Sequence, residues 1–144
     1  MERLKGNNQF KNYVLNNIKL EKQMHNRRQT FIEKGDKLKA YFNATPTKNI
    51  IGKYLVEAKL DVNLLYTCSS IAIQINASRT AVCKIAQECV DAEWAEYYYY
   101  NEKRYIRASV THLISYFDYC EDLVKIRNEL VTEYCMSKKI SENL

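Results

Sequence analysis

Apolar residues recur at helical spacing along most of the chain, and this pattern predicts a mainly helical protein. In residues 8–43 the apolar positions repeat every seven residues, which predicts one long N-terminal helix with a single apolar stripe. The stripe runs through Phe10, Asn17, Met24, Phe31 and Leu38, and it is imperfect because Asn17 is polar. Gly35 weakens this pattern and is the point at which such a helix would break or bend. A long helix with one apolar stripe packs on a partner helix, either in the same chain or in a second subunit.

A second helix is predicted to begin at Thr45-Pro46, because Thr is a good N-cap and Pro is tolerated at the first helical position. Residues 47–60 then present an apolar face that belongs in a core. Residues 61–66 connect this helix to the next motif and are a candidate for a very short strand.

The stretch 69–90 has the pattern of two helices joined by a tight turn. A small residue, a turn residue and two apolar residues stand at offsets of four, ten and thirteen, as Ala72, Asn76, Val82 and Ile85. This spacing is typical of a helix-turn-helix. Asn suits the turn, because its side chain tolerates a positive φ. Ser78 is a good N-cap for the second helix.

The second helix of this motif is predicted over about 79–93, with a buried face through Val82, Ile85, Ala86, Cys89 and Val90. Its opposite face is polar, and Arg and Gln side chains match guanine and adenine edges while Lys and Thr suit phosphates. We therefore expect this helix in the major groove of DNA, although a merely solvated face would look the same. The expected DNA contacts are Ser78, Arg79, Thr80, Lys84 and Gln87.

Residues 96–108 are rich in tyrosine and predict a two-stranded hairpin, because tyrosine has a high β propensity. We expect strands at 96–100 and 104–108 around a loop at 101–103. A hairpin that follows a recognition helix is a wing, and its basic tip residues Lys103 and Arg104 would reach the flanking backbone. We expect the tyrosines to be packing residues rather than platforms for base stacking.

Residues 111–138 predict one long C-terminal helix, whose apolar face is broader than one small domain needs. This excess indicates a helical dimer interface, while an intramolecular bundle with the N-terminal helix is the alternative. The residues expected at the dimer interface are Phe10, Met24, Phe31, Leu113, Phe117, Cys120, Leu123 and Leu130.

Composition fits a single domain over residues 1–144, mostly α with a small β-hairpin: a winged helix-turn-helix core at 45–108 flanked by long N- and C-terminal dimerisation helices. Pro occurs once and Gly three times, which argues against a many-stranded fold. No apolar run approaches the roughly 20 residues of a membrane span, and no signal peptide is visible, so we expect a cytoplasmic protein. We expect no metal site and no cofactor, because the five cysteines are dispersed and only two histidines accompany them.

The net charge of +5 is unevenly distributed, since residues 1–60 carry +8 and residues 61–144 carry −3. A basic excess attracts nucleic acid, but it is equally typical of a solvated helix surface. The half that contains the helix-turn-helix is therefore not basic as a whole, and its DNA binding would depend on where the charges point.

The order of these elements resembles the MarR family of winged-helix regulators. The similarity is strongest at the wing exit, where Glu102, Arg104, Val110 and Thr111 match an acidic residue, an arginine and an apolar-Thr pair of the family pattern. The resemblance implies a homodimer that binds a pseudo-palindromic DNA operator and is often released by a small-molecule effector or by oxidation. Two departures concern the wing: Glu93-Trp94 stands where the family has Gly, and Arg107 replaces an apolar strand residue.

The leading hypothesis is a sequence-specific, double-stranded DNA-binding transcriptional regulator that acts as a homodimer. The alternatives are a nucleoprotein-assembly factor in phage or plasmid replication or partition, and a protein-interaction module. An enzyme is not indicated, because no catalytic motif is present and His112 suits a surface or capping position better than that of a base. Cys83 is a candidate redox residue on the outer face of the recognition helix. The simpler interpretation, that Cys83 fills a small gap, is preferred because no resolving cysteine is visible in the sequence near it.

Overall fold

The protein consists of six helices and one hairpin in the residues that its computed structural model describes. These are residues 8–142, without the side chains of residue 131 and of residues 133–142. In chain order the elements are α1 (Asn8–Glu33), α2 (Lys37–Phe42), α3 (Pro46–Leu60), α4 (Cys68–Ile75), α5 (Arg79–Asp91), β1 (Ala95–Tyr100), β2 (Lys103–Ala108) and α6 (Val110–Glu142). Within the described residues no helix is both long and apolar enough to cross a membrane.

The prediction of one helix over residues 8–43 is wrong, because the chain turns between α1 and α2. Gly35 adopts a φ of 78°, a left-handed conformation that ends α1. Asp36 then caps α2, where its carboxylate accepts a hydrogen bond of 3.0 Å from the Lys39 N–H. The local chemistry of these two residues therefore overrides the apolar periodicity that continues across them.

Helix α3 begins as predicted, with the Thr45 hydroxyl accepting a 3.1 Å hydrogen bond from the Lys48 N–H and Pro46 as the first helical residue. Residues 61–66, all of which the structure describes, form a turn and an extended connection but no strand. The short strand considered there is therefore wrong. One backbone hydrogen bond of 2.9 Å, from the Ile106 N–H to the Tyr66 C=O, attaches the connection to β2.

The hairpin is antiparallel, and each strand is one residue longer than predicted. Tyr100 pairs with Lys103, so Lys103 is the first residue of β2 rather than part of a three-residue loop. The turn consists of Asn101 and Glu102 alone, at φ values of 47° and 65°. Two consecutive positive φ values define a turn whose twist matches that of the strands it joins.

The described chain divides into two compact units, and the larger one extends over Phe31–Asp118. Its core is formed by α3, α4, α5 and the hairpin, with Ile51, Leu55, Ile71, Val82 and Ile106 almost completely buried. The His112 ring lies in this core, 3% exposed and stacked on Phe42 at 4.3 Å between centroids. The expectation of a surface position for His112 is therefore wrong, although the residue does lie in the capping turn of α6, where its backbone N–H donates to the Ser109 hydroxyl at 3.4 Å.

The smaller unit combines residues up to Thr30 with those from Tyr119 onward, and it pairs α1 with α6. Met24, Ile126 and Leu130 form its buried cluster, with Leu20, Tyr119 and Leu123 packed around them. Arg27 and Asp122 form an ion pair beside it. Helix α6 is longer at both ends than the predicted 111–138.

Candidate nucleic-acid interface

The turn between α4 and α5 is built on Asn76, as the sequence predicted. Asn76 adopts φ 54° and ψ 45°, the left-handed conformation that this turn requires. The Ala77 N–H donates to the Ala72 C=O at 3.0 Å, and the Asn76 N–H donates to the Ile73 C=O at 3.3 Å. This pair of bonds satisfies carbonyls at the end of α4 and sets the direction in which α5 departs.

Capping residues fix the starts of both helices of the motif. At α4, the Thr67 hydroxyl accepts from the Ser70 N–H at 3.0 Å while the Ser70 hydroxyl accepts from the Thr67 N–H at 2.9 Å. At α5, the Ser78 hydroxyl accepts from the Ala81 N–H at 3.1 Å. Ser78 was expected to contact DNA; its hydroxyl oxygen already caps α5 at the positive end of the helix dipole.

Helix α5 has one buried face and one exposed face, as predicted. Val82, Ala86 and Cys89 are buried, while Arg79, Thr80, Lys84 and Gln87 are exposed. Cys83 is half-buried rather than on the outer face where it was expected.

Gln87 already has two hydrogen-bond partners within the protein. Its amide donates to the Asp91 carboxylate at 2.8 Å, and it accepts a bond of 3.2 Å from the Tyr97 hydroxyl. Because all three bonding groups lie near the surface, a base edge would have to compete with Asp91 and Tyr97 for this amide. Gln87 thus links α5 to the wing through Tyr97, and it also lies on the face of α5 that is predicted to contact DNA bases.

The end of α5 uses a non-glycine residue in a left-handed conformation. Glu93 has a φ of 65°, the Trp94 N–H donates to the Cys89 C=O at 2.8 Å, and the Glu93 N–H donates to the Val90 C=O at 3.0 Å. These bonds are the Schellman motif, in which Gly is the usual residue at the position of Glu93. Glu93 in place of the Gly of the family pattern is thus accommodated within a Schellman turn. This turn directs the chain into β1.

The wing presents both predicted cations to solvent. The Arg104 guanidinium lies over the Tyr97 ring at 4.1 Å from its centroid, an arrangement that holds the cation in place. Lys103 is exposed at the tip, opposite Tyr100. Tyr99 and Tyr100 are 73% and 56% exposed, so among the four tyrosines of β1 the expected packing holds for the half-buried Tyr97 and Tyr98.

Arg107 forms part of an ion-pair network at the base of the wing. Glu96 accepts from the Lys59 ammonium and from the Arg107 Nε, both at 2.8 Å, and the Arg107 guanidinium also lies over the Tyr98 ring at 4.3 Å. The hydrogen bond from Lys59, and after it that from Arg107, lowers the pKa of Glu96 although partial burial opposes this. Lys59 thus fastens the wing to α3 through Glu96, and Arg107 binds the same carboxylate from the paired strand. This shared ion pair explains a charged residue at a strand position where the family pattern has an apolar one.

The residues expected at a dimer interface differ in how far they are buried within the chain. Met24 and Leu130 are buried within the chain, and Leu113 and Leu123 are half-buried against its cores, whereas Phe10 and Phe117 are each 44% exposed. Phe31 and Cys120 are half-buried. The intramolecular pairing of α1 with α6 therefore uses part of the predicted stripe and leaves another part at the surface.

Sequence reasoning missed Tyr97, which contacts both Gln87 and Arg104. Its signal was the strand register, because the pairing of Tyr99 with Arg104 places Tyr97 on the same face as Arg104. Among the described residues, no three His, Cys, Asp or Glu side chains come together in a way that could hold a metal ion.

These elements define the fold as a winged helix-turn-helix, mostly α with one hairpin, with a long helix before it and another after it in the chain. This is the fold of MarR-family regulators, as the sequence resemblance implied. A solved structure of MepR, a transcription regulator of the Staphylococcus aureus multidrug efflux pump MepA, matches with a TM-score of 0.53 and 13% identity. The match covers 85% of this chain and 88% of that one.

Two further solved structures are similar at lower TM-scores. S. aureus MepR bound to ethidium bromide has a TM-score of 0.44 and 15% identity, covering 87% of this chain and 80% of its own. The adhesin competence repressor AdcR from Streptococcus pyogenes has a TM-score of 0.42 and 16% identity, covering 86% and 90%. No family model and no curated protein matches the chain.

Proposed function

We propose that the protein is a transcriptional regulator, and not an enzyme, that binds double-stranded DNA sequence-specifically in the cytoplasm. The observation that carries the proposal is the exposed polar face of α5, whose opposite face is buried in a capped and ordered helix-turn-helix. Arg79, Thr80, Lys84 and Gln87 enter the major groove.

The wing supports the same proposal. Lys103 and Arg104 are exposed on a short hairpin that is fastened to the core through Glu96. Cations fixed on a rigid hairpin contact the flanking phosphates at little entropic cost, since Arg104 is already ordered by Tyr97.

Two substitutions separate base reading from backbone contact. Arg79→Ala is expected to weaken binding to the preferred sequence by about 1–3 kcal/mol and to relax preference at one base position. Lys103→Ala is expected to weaken binding to every duplex and to reduce the dependence of affinity on salt. Fluorescence anisotropy with labelled duplexes over a salt series measures both.

The exposed Lys53 of α3 provides a matched control, because Lys53→Ala removes a cation outside the helix-turn-helix and the wing. Wild-type affinity in both Arg79→Ala and Lys103→Ala would contradict the proposed docking. An equal loss of DNA affinity in all three variants would mean that binding depends on net charge rather than on this interface.

We further propose that the regulator is a homodimer joined through α1 and α6, and that it binds a pseudo-palindromic operator. Both helices keep large apolar residues at the surface after their intramolecular packing: Tyr13, Leu15, Ile18, Ile114, Phe117 and Val124. Six large apolar residues exposed on two long helices are typical of a subunit interface.

The dimer is tested with an exposed residue rather than a buried one, so that folding is retained. Phe117→Asp places a charge in the proposed interface, and sedimentation at micromolar concentration should change from twice the monomer mass to the monomer mass. Val62→Asp is the control, because Val62 is 76% exposed and lies outside both helices. A wild-type protein that sediments as a monomer would contradict the dimer.

A further inference from the structure

The side-chain amide of Gln87 is bound by the protein at both its nitrogen and its oxygen. Its Nε2 donates to the Asp91 carboxylate at 2.8 Å, and its Oε1 accepts from the Tyr97 hydroxyl at 3.2 Å. An ionised carboxylate can only accept hydrogen bonds, so the nitrogen of the amide, and not its oxygen, must face Asp91. The chemistry of Asp91 therefore determines which way the Gln87 amide is turned.

The two partners of this amide are not equally restrained. Asp91 is exposed and lies four residues after Gln87 on α5, a helical spacing whose side-chain pairs contribute little on their own. Tyr97 is half-buried against the core of the larger unit, and the Arg104 guanidinium lies 4.1 Å from the centroid of its ring. A side chain restrained in this way loses little further entropy when its hydroxyl binds Gln87. Tyr97 is therefore the residue of the wing that fixes the amide on α5.

The hydrogen bonds within the protein use half of the bonding capacity of this amide. A Gln amide has two N–H donors and two acceptor positions on its oxygen. Asp91 takes one donor and Tyr97 takes one acceptor position, so one of each remains for an external group, and the competition for the amide is only partial. One donor with one acceptor complements the major-groove edge of adenine, which offers N7 as an acceptor and N6–H as a donor.

We propose that Tyr97 and Asp91 are positioning residues that orient the Gln87 amide toward an adenine, so that a residue of the wing sets base specificity on the recognition helix. Tyr97 acts through Gln87 rather than on the base. Guanine is disfavoured at this position, because its N7 and O6 are both acceptors and the amide oxygen would face one of them. The contact with a base rests on the proposed function, whereas the orientation of the amide does not.

Side-chain amide signals in the NMR spectrum of isotopically labelled protein test the orientation without any DNA. The Gln87 signals are identified by their absence from Gln87→Ala, and they should shift in Asp91→Ala and in Tyr97→Phe, which removes only a hydroxyl. Tyr98→Phe is the matched control, because Tyr98 follows Tyr97 in β1 and its side chain lies on the opposite face of the hairpin. Gln87 signals that are the same in Tyr97→Phe as in the wild type would overturn the proposal.

The base preference of the same variants tests the contact with adenine. Selection from random duplexes with wild type and with Gln87→Ala identifies the position that Gln87 contacts, as the one at which the preference disappears. Wild type is expected to prefer adenine over guanine there by roughly tenfold. Tyr97→Phe should reduce this preference by about threefold or more, and Tyr98→Phe should keep it. Because Tyr97→Phe retains the ring beneath Arg104, the dependence of affinity on salt should not change, as it would if the wing were displaced.

A double-mutant cycle shows whether Tyr97 acts through Gln87. In the Gln87→Ala background, Tyr97→Phe should have no further effect on base preference, whereas independent contributions would add. Additive effects, or a preference at that position for a base other than adenine, would overturn this inference and leave the proposed function standing. A wild-type protein that selects no common sequence would contradict the proposed function and the contact with adenine together, and the NMR signals would still decide the orientation of the amide.

Discussion

His112 is a buried histidine whose environment makes the stability of the protein depend on pH. It is 3% exposed, it stacks on Phe42, and its Nδ1 has no hydrogen-bond partner in the described part of the structure. Burial lowers the pKa of His112 from 6.5 to about 4. The folded state therefore favours the neutral ring, and protonation favours unfolding.

The pH dependence follows from these two pKa values. Above pH 6.5 both states are neutral at this residue, and between pH 6.5 and about 4 only the unfolded chain takes up the proton. We expect the free energy of unfolding to fall by up to about 3 kcal/mol over this window. Urea unfolding at a series of pH values measures it.

Two variants isolate the contribution of His112. His112→Leu should remove most of this loss, since an apolar side chain of similar volume has no proton to gain. His25→Gln, which replaces an exposed histidine of α1, should retain the full loss. An equal acid sensitivity in wild type and His112→Leu would show that other groups, such as Glu96, dominate.

At the residue scale, sequence reasoning succeeded where chemistry is local and failed where it depends on tertiary neighbours. Asn76, Ser78 and Thr45 were correctly placed, because caps and left-handed turns are set within four residues. His112 was misjudged, because its surroundings come from elements far apart in the chain.

The Schellman end of α5 gives a prediction at the scale of a single element. A non-Gly residue in the left-handed region costs about 1–2 kcal/mol, and part of this is offset by the greater backbone entropy that Gly loses on folding. Glu93→Gly should therefore raise the free energy of unfolding by about 0.5–1 kcal/mol. Denaturant unfolding of the two proteins measures the difference.

The neighbouring residue provides the control for this prediction. Ala92 has a φ of −83°, where Gly has no steric advantage, so Ala92→Gly should lower the stability by up to about 1 kcal/mol. Stabilisation by both substitutions, or by neither, would mean that backbone conformation at Glu93 does not limit the stability of this turn.

For the individual elements, sequence periodicity correctly predicted the helices of the core, the hairpin and the buried faces. The boundaries of these elements depended on single residues that do not change the apolar periodicity. The apolar stripe continues through Gly35 and Asp36, yet these two residues separate α1 from α2. The hairpin loop was predicted one residue too long, because Asn101 and Glu102 make a two-residue turn without glycine.

In the molecule as a whole the charge is unevenly distributed, so the positions of individual cations matter more for DNA binding than the net charge does. The helix-turn-helix and wing belong to a stretch with a net charge of −3, so general attraction does not hold DNA at this surface. Under the proposed function, binding there comes from Arg79, Lys84, Lys103 and Arg104 at defined points. Such binding would show sequence preference rather than uniform affinity for polyanions.

The fold class could be predicted for the whole chain because its elements have strong and separate patterns. The apolar surface that α1 and α6 leave exposed could not be predicted, since an apolar stripe does not tell whether its partner is in the same chain. Met24 and Phe117 illustrate this, as one is buried within the chain and the other is exposed.

Selection of bound DNA from a pool of random duplexes, at moderate salt, is the most direct test of sequence-specific operator binding by this protein. We expect enrichment of one inverted repeat, with half-sites about one helical turn apart, and loss of that enrichment in Arg79→Ala. Recovery of a pool without any common sequence would contradict it, as would a preference for tandem repeats with filament formation, which would favour a nucleoprotein-assembly factor.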